Sequence, residues 1–147
     1  FGDGSSRYLA IWKSLDLSTN NLSGEIPTEI FGVTQLVSLN LCRNHFMEII
    51  SSNIGGMKNL EIVDLSYNNL SGEVPEAVTN LSCLSYLNLS YNDFFGQIPL
   101  GTQLQTFYSW SYVGNPTLCG PPLIKNCSDE EANHDKAKAK QDGANNS

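Results

Sequence analysis

Four asparagines, Asn20, Asn44, Asn68 and Asn92, stand 24 residues apart without a slip. Each closes the same pattern: Leu15-Asp16-Leu17-Ser18-Thr19-Asn20, Leu39-Asn40-Leu41-Cys42-Arg43-Asn44, Val63-Asp64-Leu65-Ser66-Tyr67-Asn68 and Leu87-Asn88-Leu89-Ser90-Tyr91-Asn92. An apolar residue lies three before each pattern, at Trp12, Leu36, Leu60 and Leu84. A fixed period of this length marks a solenoid, in which one supersecondary unit stacks on copies of itself. Alternating apolar residues suit a short strand with one buried face. Such strands near 14–18, 38–42, 62–66 and 86–90 would pair in parallel, about 4.8 Å apart, on one concave face. Each asparagine ends a strand where the chain turns inward. Its amide donates and accepts, so a stacked ladder of Asn20, Asn44, Asn68 and Asn92 can satisfy backbone groups that a buried turn leaves unpaired.

The second half of each coil repeats as well. Asn21-Leu22-Ser23-Gly24-Glu25-Ile26-Pro27 matches Asn69-Leu70-Ser71-Gly72-Glu73-Val74-Pro75 and Asp93-Phe94-Phe95-Gly96-Gln97-Ile98-Pro99. Glycine lets the backbone turn where a Cβ would clash, and proline ends the extended segment. The polar segments that follow, such as Thr28–Gly32 and Glu76–Asn80, are too short for α-helices and predict a single 3₁₀ or helical turn on the outer face. The second coil departs, with Phe46-Met47-Glu48-Ile49-Ile50-Ser51 in place of the glycine and proline. Drift at a tolerant outer turn accounts for this more simply than a surface remade for a partner.

At these residues the sequence resembles the plant-type extracellular leucine-rich repeat of receptor-like kinases, receptor-like proteins and polygalacturonase inhibitors. The resemblance implies an α/β solenoid of 24-residue repeats, with a parallel concave sheet and short outer turns. It covers Trp12 to about Cys127. After Pro99 the period breaks, and Leu104, Phe107 and Tyr112 can cover the last coil's open face. The wording Gly101-Thr102-Gln103-Leu104-Gln105-Thr106-Phe107, then Tyr112 through Cys119 to Cys127, resembles the C-terminal cap of receptor-like proteins, which have ectodomains but no kinase. The chain thus divides into a lead-in at 1–11, four repeats at 12–99, a cap at 100–127 and an acidic tail at 128–147.

Upstream of Trp12, nothing resembles a cap with its own cysteine pair. The first coil's edge (Trp12, Leu15, Leu17, Leu22, Ile26) would face water unless another coil preceded it, and the chain reads as an excised or truncated piece. The tail has no apolar residue larger than alanine and reads as disordered. In the resembled family such a stretch lies just outside a membrane helix, a segment this chain does not contain.

A net charge of −7 argues against a nucleic-acid or anionic-membrane surface. Charged residues are only 16% of the chain, which suits hydrogen-bonded recognition better than electrostatic steering. Cys119 and Cys127, with His45 and His134 isolated, do not make a zinc spacing, so in a secreted context they read as a disulfide. Cys42 and Cys83 hold different positions in coils two apart and read as free thiols. Sequons begin at Asn21, Asn69, Asn80 and Asn88, and also at Asn126, beside Cys127, and at Asn145. No nucleophile, base and oxyanion site assemble, so the chain reads as a binding module without cofactor or metal.

The residues flanking the strand leucines project from the concave face. They form columns: Asp16, Asn40, Asp64, Asn88; Ser18, Cys42, Ser66, Ser90; Thr19, Arg43, Tyr67, Tyr91; and Ser14, Ser38, Ile62, Tyr86. Arg43, Asp64, Tyr67, Tyr86 and Tyr91 are the candidate protein-binding residues, since tyrosine and arginine are favoured anchors. The family resemblance implies a cell-surface protein, single-pass at full length, in defence or developmental perception. Upstream repeats would read a protein or peptide ligand, and the C-terminal repeats would face a coreceptor kinase. The alternative is a secreted inhibitor of a microbial wall-degrading enzyme, like the polygalacturonase inhibitors.

Overall fold

The computed structural model describes residues 13–100 and 103–128; Trp12 and the lead-in, the tail beyond Ser128 and the Asn145 sequon lie outside them. In chain order the strands are β1 (Ser14–Asp16), β2 (Ser23–Glu25), β3 (Ser38–Asn40), β4 (His45–Glu48), β5 (Ile62–Asp64), β6 (Asn69–Glu73), β7 (Tyr86–Asn88), β8 (Asp93–Gln97) and β9 (Thr117–Cys119). The Leu-x-Leu segments form one parallel sheet in the order β1-β3-β5-β7, with Leu15, Leu39, Val63 and Leu87 in register. These strands are three residues long rather than five. They stop at Asp16, Asn40, Asp64 and Asn88, because the Oδ1 of each accepts from the backbone N–H two residues on and turns the chain.

The second halves of the coils form a further parallel sheet, β2-β4-β6-β8-β9, where the sequence predicts only a glycine turn. Single 3₁₀ turns at Thr28–Gly32, Ser52–Gly56 and Glu76–Asn80 close the outer face. Between these walls the apolar residues stack in columns at the repeat period. Phe46, Leu70, Phe94 and Leu118 form one, and Ile26, Ile50, Val74 and Ile98 another, all buried. Each fully buried side chain of this size contributes about 1.5–3 kcal/mol. In the first coil Leu22 is exposed and Leu15 and Leu17 are partly buried, but Ile26 is covered, contrary to the expectation of a wholly open edge.

In the second coil Glu48 occupies the glycine position at φ +71°, where Gly24, Gly72 and Gly96 have +83°, +79° and +79°. A side chain in that region costs about 1–2 kcal/mol. The lost proline is replaced by Ser51, whose hydroxyl accepts from the Asn53 N–H at 3.1 Å and caps the 3₁₀ turn. Ile50 keeps its buried place.

The cap is a degenerate fifth coil. Phe95, Gly96 and Gln97 of β8 pair with Thr117, Leu118 and Cys119 of β9. Leu104 and Tyr112 are buried, Phe107 packs against the core, and the Tyr112 hydroxyl donates to the Leu104 carbonyl at 2.7 Å. Cys119 and Cys127 are joined by a disulfide, their Cα atoms 5.0 Å apart. Replacing both with alanine should lower stability by up to about 2–3 kcal/mol by the loop-entropy relation. Amide exchange should then rise over Leu87–Ile98 before Leu39–Leu65 responds. Uniform loosening of all coils would contradict this local role.

Candidate partner-binding face

The ladder asparagines set the frame of the concave face. Asn44 Nδ2 donates to the carbonyls of Leu17, Leu41 and Cys42, while its Oδ1 accepts from the N–H groups of Asn20 and Leu22. Asn68 and Asn92 donate to three carbonyls each and accept from Phe46 and Leu70. Asn20 differs: it is exposed, and among the described residues its Nδ2 donates to Leu17 and Ser18 of its own turn. A fifth rung, Asn115, was not anticipated. It accepts from the Phe94 N–H at 3.0 Å and donates to Leu89 and Tyr112. The sequence signal is the interval Tyr112-x-x-Asn115, which repeats Leu89-x-x-Asn92 one residue early.

Just before each rung the backbone is left-handed: Thr19, Arg43, Tyr67 and Tyr91 all have φ +56°. Their N–H groups donate to the next coil, Tyr67 to Ser90 and Tyr91 to Val113. This places bulky side chains on the surface in a conformation that favours glycine or asparagine. Tyr67 and Tyr91 are 41% and 47% exposed and stack with centroids 4.5 Å apart at 15°. The Arg43 guanidinium carbon lies 4.3 Å above the other face of Tyr67. Tyr91 in turn lies against Gly114, where an added Cβ would come within 2.4 Å of its ring. The row therefore runs Arg43, Tyr67, Tyr91, Gly114. Its ring faces are consumed by stacking and its edges are offered to solvent.

Beside that row, Asp64 is half-buried, and its Oδ1 accepts from the Ser66 N–H and hydroxyl at 3.0 and 2.7 Å. The same bonds from Ser18, hydroxyl first, hold the Asp16 carboxyl below the usual carboxylate range. The serine column does not project outward as alternation suggests. Ser66 and Ser90 are buried, because the turn that uses their hydroxyls draws them inward. Burial, followed by the nearby Asp64 carboxylate, pushes the half-buried Cys42 thiol up, away from the reactive thiolate. Cys42 and Cys83 are both free thiols.

On the far side Ile62 and Tyr86 are exposed, and Trp110 of the cap lies 5.5 Å from Tyr86 at 45°. Trp110 and the exposed Tyr108 were missed, since they lie where the period fails. The concave face thus changes from small polar residues in the first coil (Ser14, Thr19) to aromatic ones in the last. Of the sequons, Asn21, Asn69, Asn80 and Asn126 are exposed and Asn88 is half-buried. Among the described residues no three His, Cys, Asp or Glu side chains gather as metal ligands would, and no helix is long and apolar enough to cross a membrane.

The leucine rich repeat family matches residues 34–94 and, through a second profile, residues 12–33. The chain is 55% identical over 114 residues to receptor-like protein 13 of Arabidopsis thaliana, spanning 78% of this chain and 11% of that protein. The crystal structure of the BIR3–SERK2 complex from Arabidopsis thaliana matches with a TM-score of 0.74 at 40% identity, covering 78% of this chain and 60% of that one. The Arabidopsis receptor kinase HAESA, solved with the peptide hormone IDA and the co-receptor SERK1, matches with a TM-score of 0.65 at 44% identity, over 77% of this chain and 18% of that one. Repeat, cap and relatives agree: the chain belongs to the plant extracellular leucine-rich repeat receptor-like proteins.

Proposed function

We propose that this module binds protein rather than catalyses, and that its concave strip meets a coreceptor kinase in a plant cell-surface receptor of defence or developmental signalling. The full-length protein is read as a single-pass plasma-membrane receptor. The observation that carries the proposal is the Arg43–Tyr67–Tyr91 row. Three large, solvent-facing side chains are held in a backbone region that penalises them, so the fold alone gives no reason for their identity. The HAESA complex, which contains both a peptide hormone and a co-receptor, supports the class of partner. Asp64 and Tyr86 flank the row and complete the strip.

The test separates binding from folding. Asparagine tolerates left-handed backbone, so Tyr67→Asn should hold or raise the melting temperature. Affinity for a purified SERK1 ectodomain, measured by calorimetry, should fall about tenfold or more, the loss of a hot-spot contact. Glu76→Ala on the outer turn should leave affinity unchanged. Equal binding by Tyr67→Asn and the parent chain would sink the assignment.

A further inference from the structure

We propose that Asn88 carries an N-linked glycan whose first sugar packs against the rings of Tyr86 and Trp110. Asn88-Leu89-Ser90 is a sequon, and it lies on the binding face rather than on an outer turn. Tyr86 and Asn88 are two residues apart on β7, so both side chains leave the same face of the sheet, about 7 Å apart along the strand. The carboxamide is held in one orientation, because its Oδ1 accepts from the Ser90 N–H at 3.0 Å and the Ser90 hydroxyl at 2.6 Å. Nδ2, the atom that takes a sugar, has no role in that turn. Asp16 and Asp64 build the same turn with no nitrogen at all. Asn68 and Asn92 are the contrast, since each spends Nδ2 on three carbonyls.

Beside Asn88 stand two open rings. Tyr86 and Trp110 tilt at 45° with centroids 5.5 Å apart, and both remain exposed. Aromatic faces of this kind accept the C–H faces of a pyranose, a weak contact that a covalent tether makes persistent. Asn69 and Asn80 lack this arrangement. Asn69 also follows a tyrosine by two, but the chain turns at buried Asn68 between them, and Tyr67 is already stacked on both faces. Val78, two before Asn80, is buried.

Transfer uses a lipid-linked oligosaccharide diphosphate as donor. Nδ2 forms a bond to the anomeric carbon of the first N-acetylglucosamine, that carbon's bond to the diphosphate oxygen breaks, the amide loses one proton, and the lipid diphosphate leaves. Ser90 is buried in the finished fold, so transfer precedes folding of this coil. The attached sugar lies along the Tyr86–Trp110 edge of the strip and leaves the Arg43–Tyr67–Tyr91 row open, so a partner meets Tyr86 together with the sugar packed on it.

Glycopeptide mass spectrometry of the protein secreted from plant cells should find sugar on Asn88. Material kept high-mannose and trimmed to one N-acetylglucosamine should show nuclear Overhauser contacts from that acetyl methyl to the rings of Tyr86 and Trp110. Tyr86→Ala should weaken these contacts while Asn88 stays modified. Unmodified Asn88 in secreted protein overturns the proposal, and so does a modified Asn88 without ring contacts. Neither result bears on Tyr67, whose role is read separately by coreceptor affinity.

Discussion

Asn68→Ala is expected to lower stability by about 3 kcal/mol, against about 1 kcal/mol or less for Asn20→Ala. The difference follows from how the rungs share their partners. Leu41 O accepts from both Asn44 and Asn68, and Leu65 O from both Asn68 and Asn92. Ser66 O also accepts from the Arg43 N–H. Removing the Asn68 amide therefore leaves these carbonyls one partner each, but orphans the Phe46 N–H inside the core. Four hydrogen bonds and one buried donor's only partner are lost together. Asn20 is exposed, so water replaces what its amide supplied. Urea unfolding of the two variants checks the contrast. Equal, small losses would show that the ladder is not the buried scaffold described here.

Tyr112→Ala should cost about 4 kcal/mol, in the range for truncating a large buried aromatic. Tyr112 is fully buried and seals the last coil, and its hydroxyl is bonded to Leu104. Tyr112→Phe isolates the hydroxyl and should cost about 1 kcal/mol. It should also change the alkaline response. Burial raises the Tyr112 phenol well above its ordinary range. In the unfolded chain the phenol ionises near pH 10, whereas in the folded chain it stays protonated. Stability should be level below that pH and fall as pH rises beyond it. Thermal melts across alkaline pH should show a shallower fall for Tyr112→Phe than for the parent protein.

The repeat made the coils legible in advance, because a 24-residue period and alternating leucines leave one parallel solution. The outer 3₁₀ turns were legible for the same reason. The second sheet was not, since Gly24, Gly72 and Gly96 look like turn residues and β2, β4, β6 and β8 owe their strand form to neighbouring coils. Alternation misplaced the serine column because the chain leaves the strand at Asp64 or Asn88, before Ser66 or Ser90. The candidate face was half legible. Columns of Arg43, Tyr67 and Tyr91 could be written from the period, but their left-handed backbone and stacking could not. Trp110 and Asn115 escaped because the cap shortens the repeat by one residue before the fifth rung.

Amide hydrogen exchange in the presence and absence of the SERK1 ectodomain maps which face of the coils a coreceptor covers. Protection is expected at Arg43, Ile62–Tyr67 and Tyr86–Tyr91, with none at the outer turns Ser52–Gly56 and Glu76–Asn80. Protection confined to those outer turns, or to neither face, would contradict it.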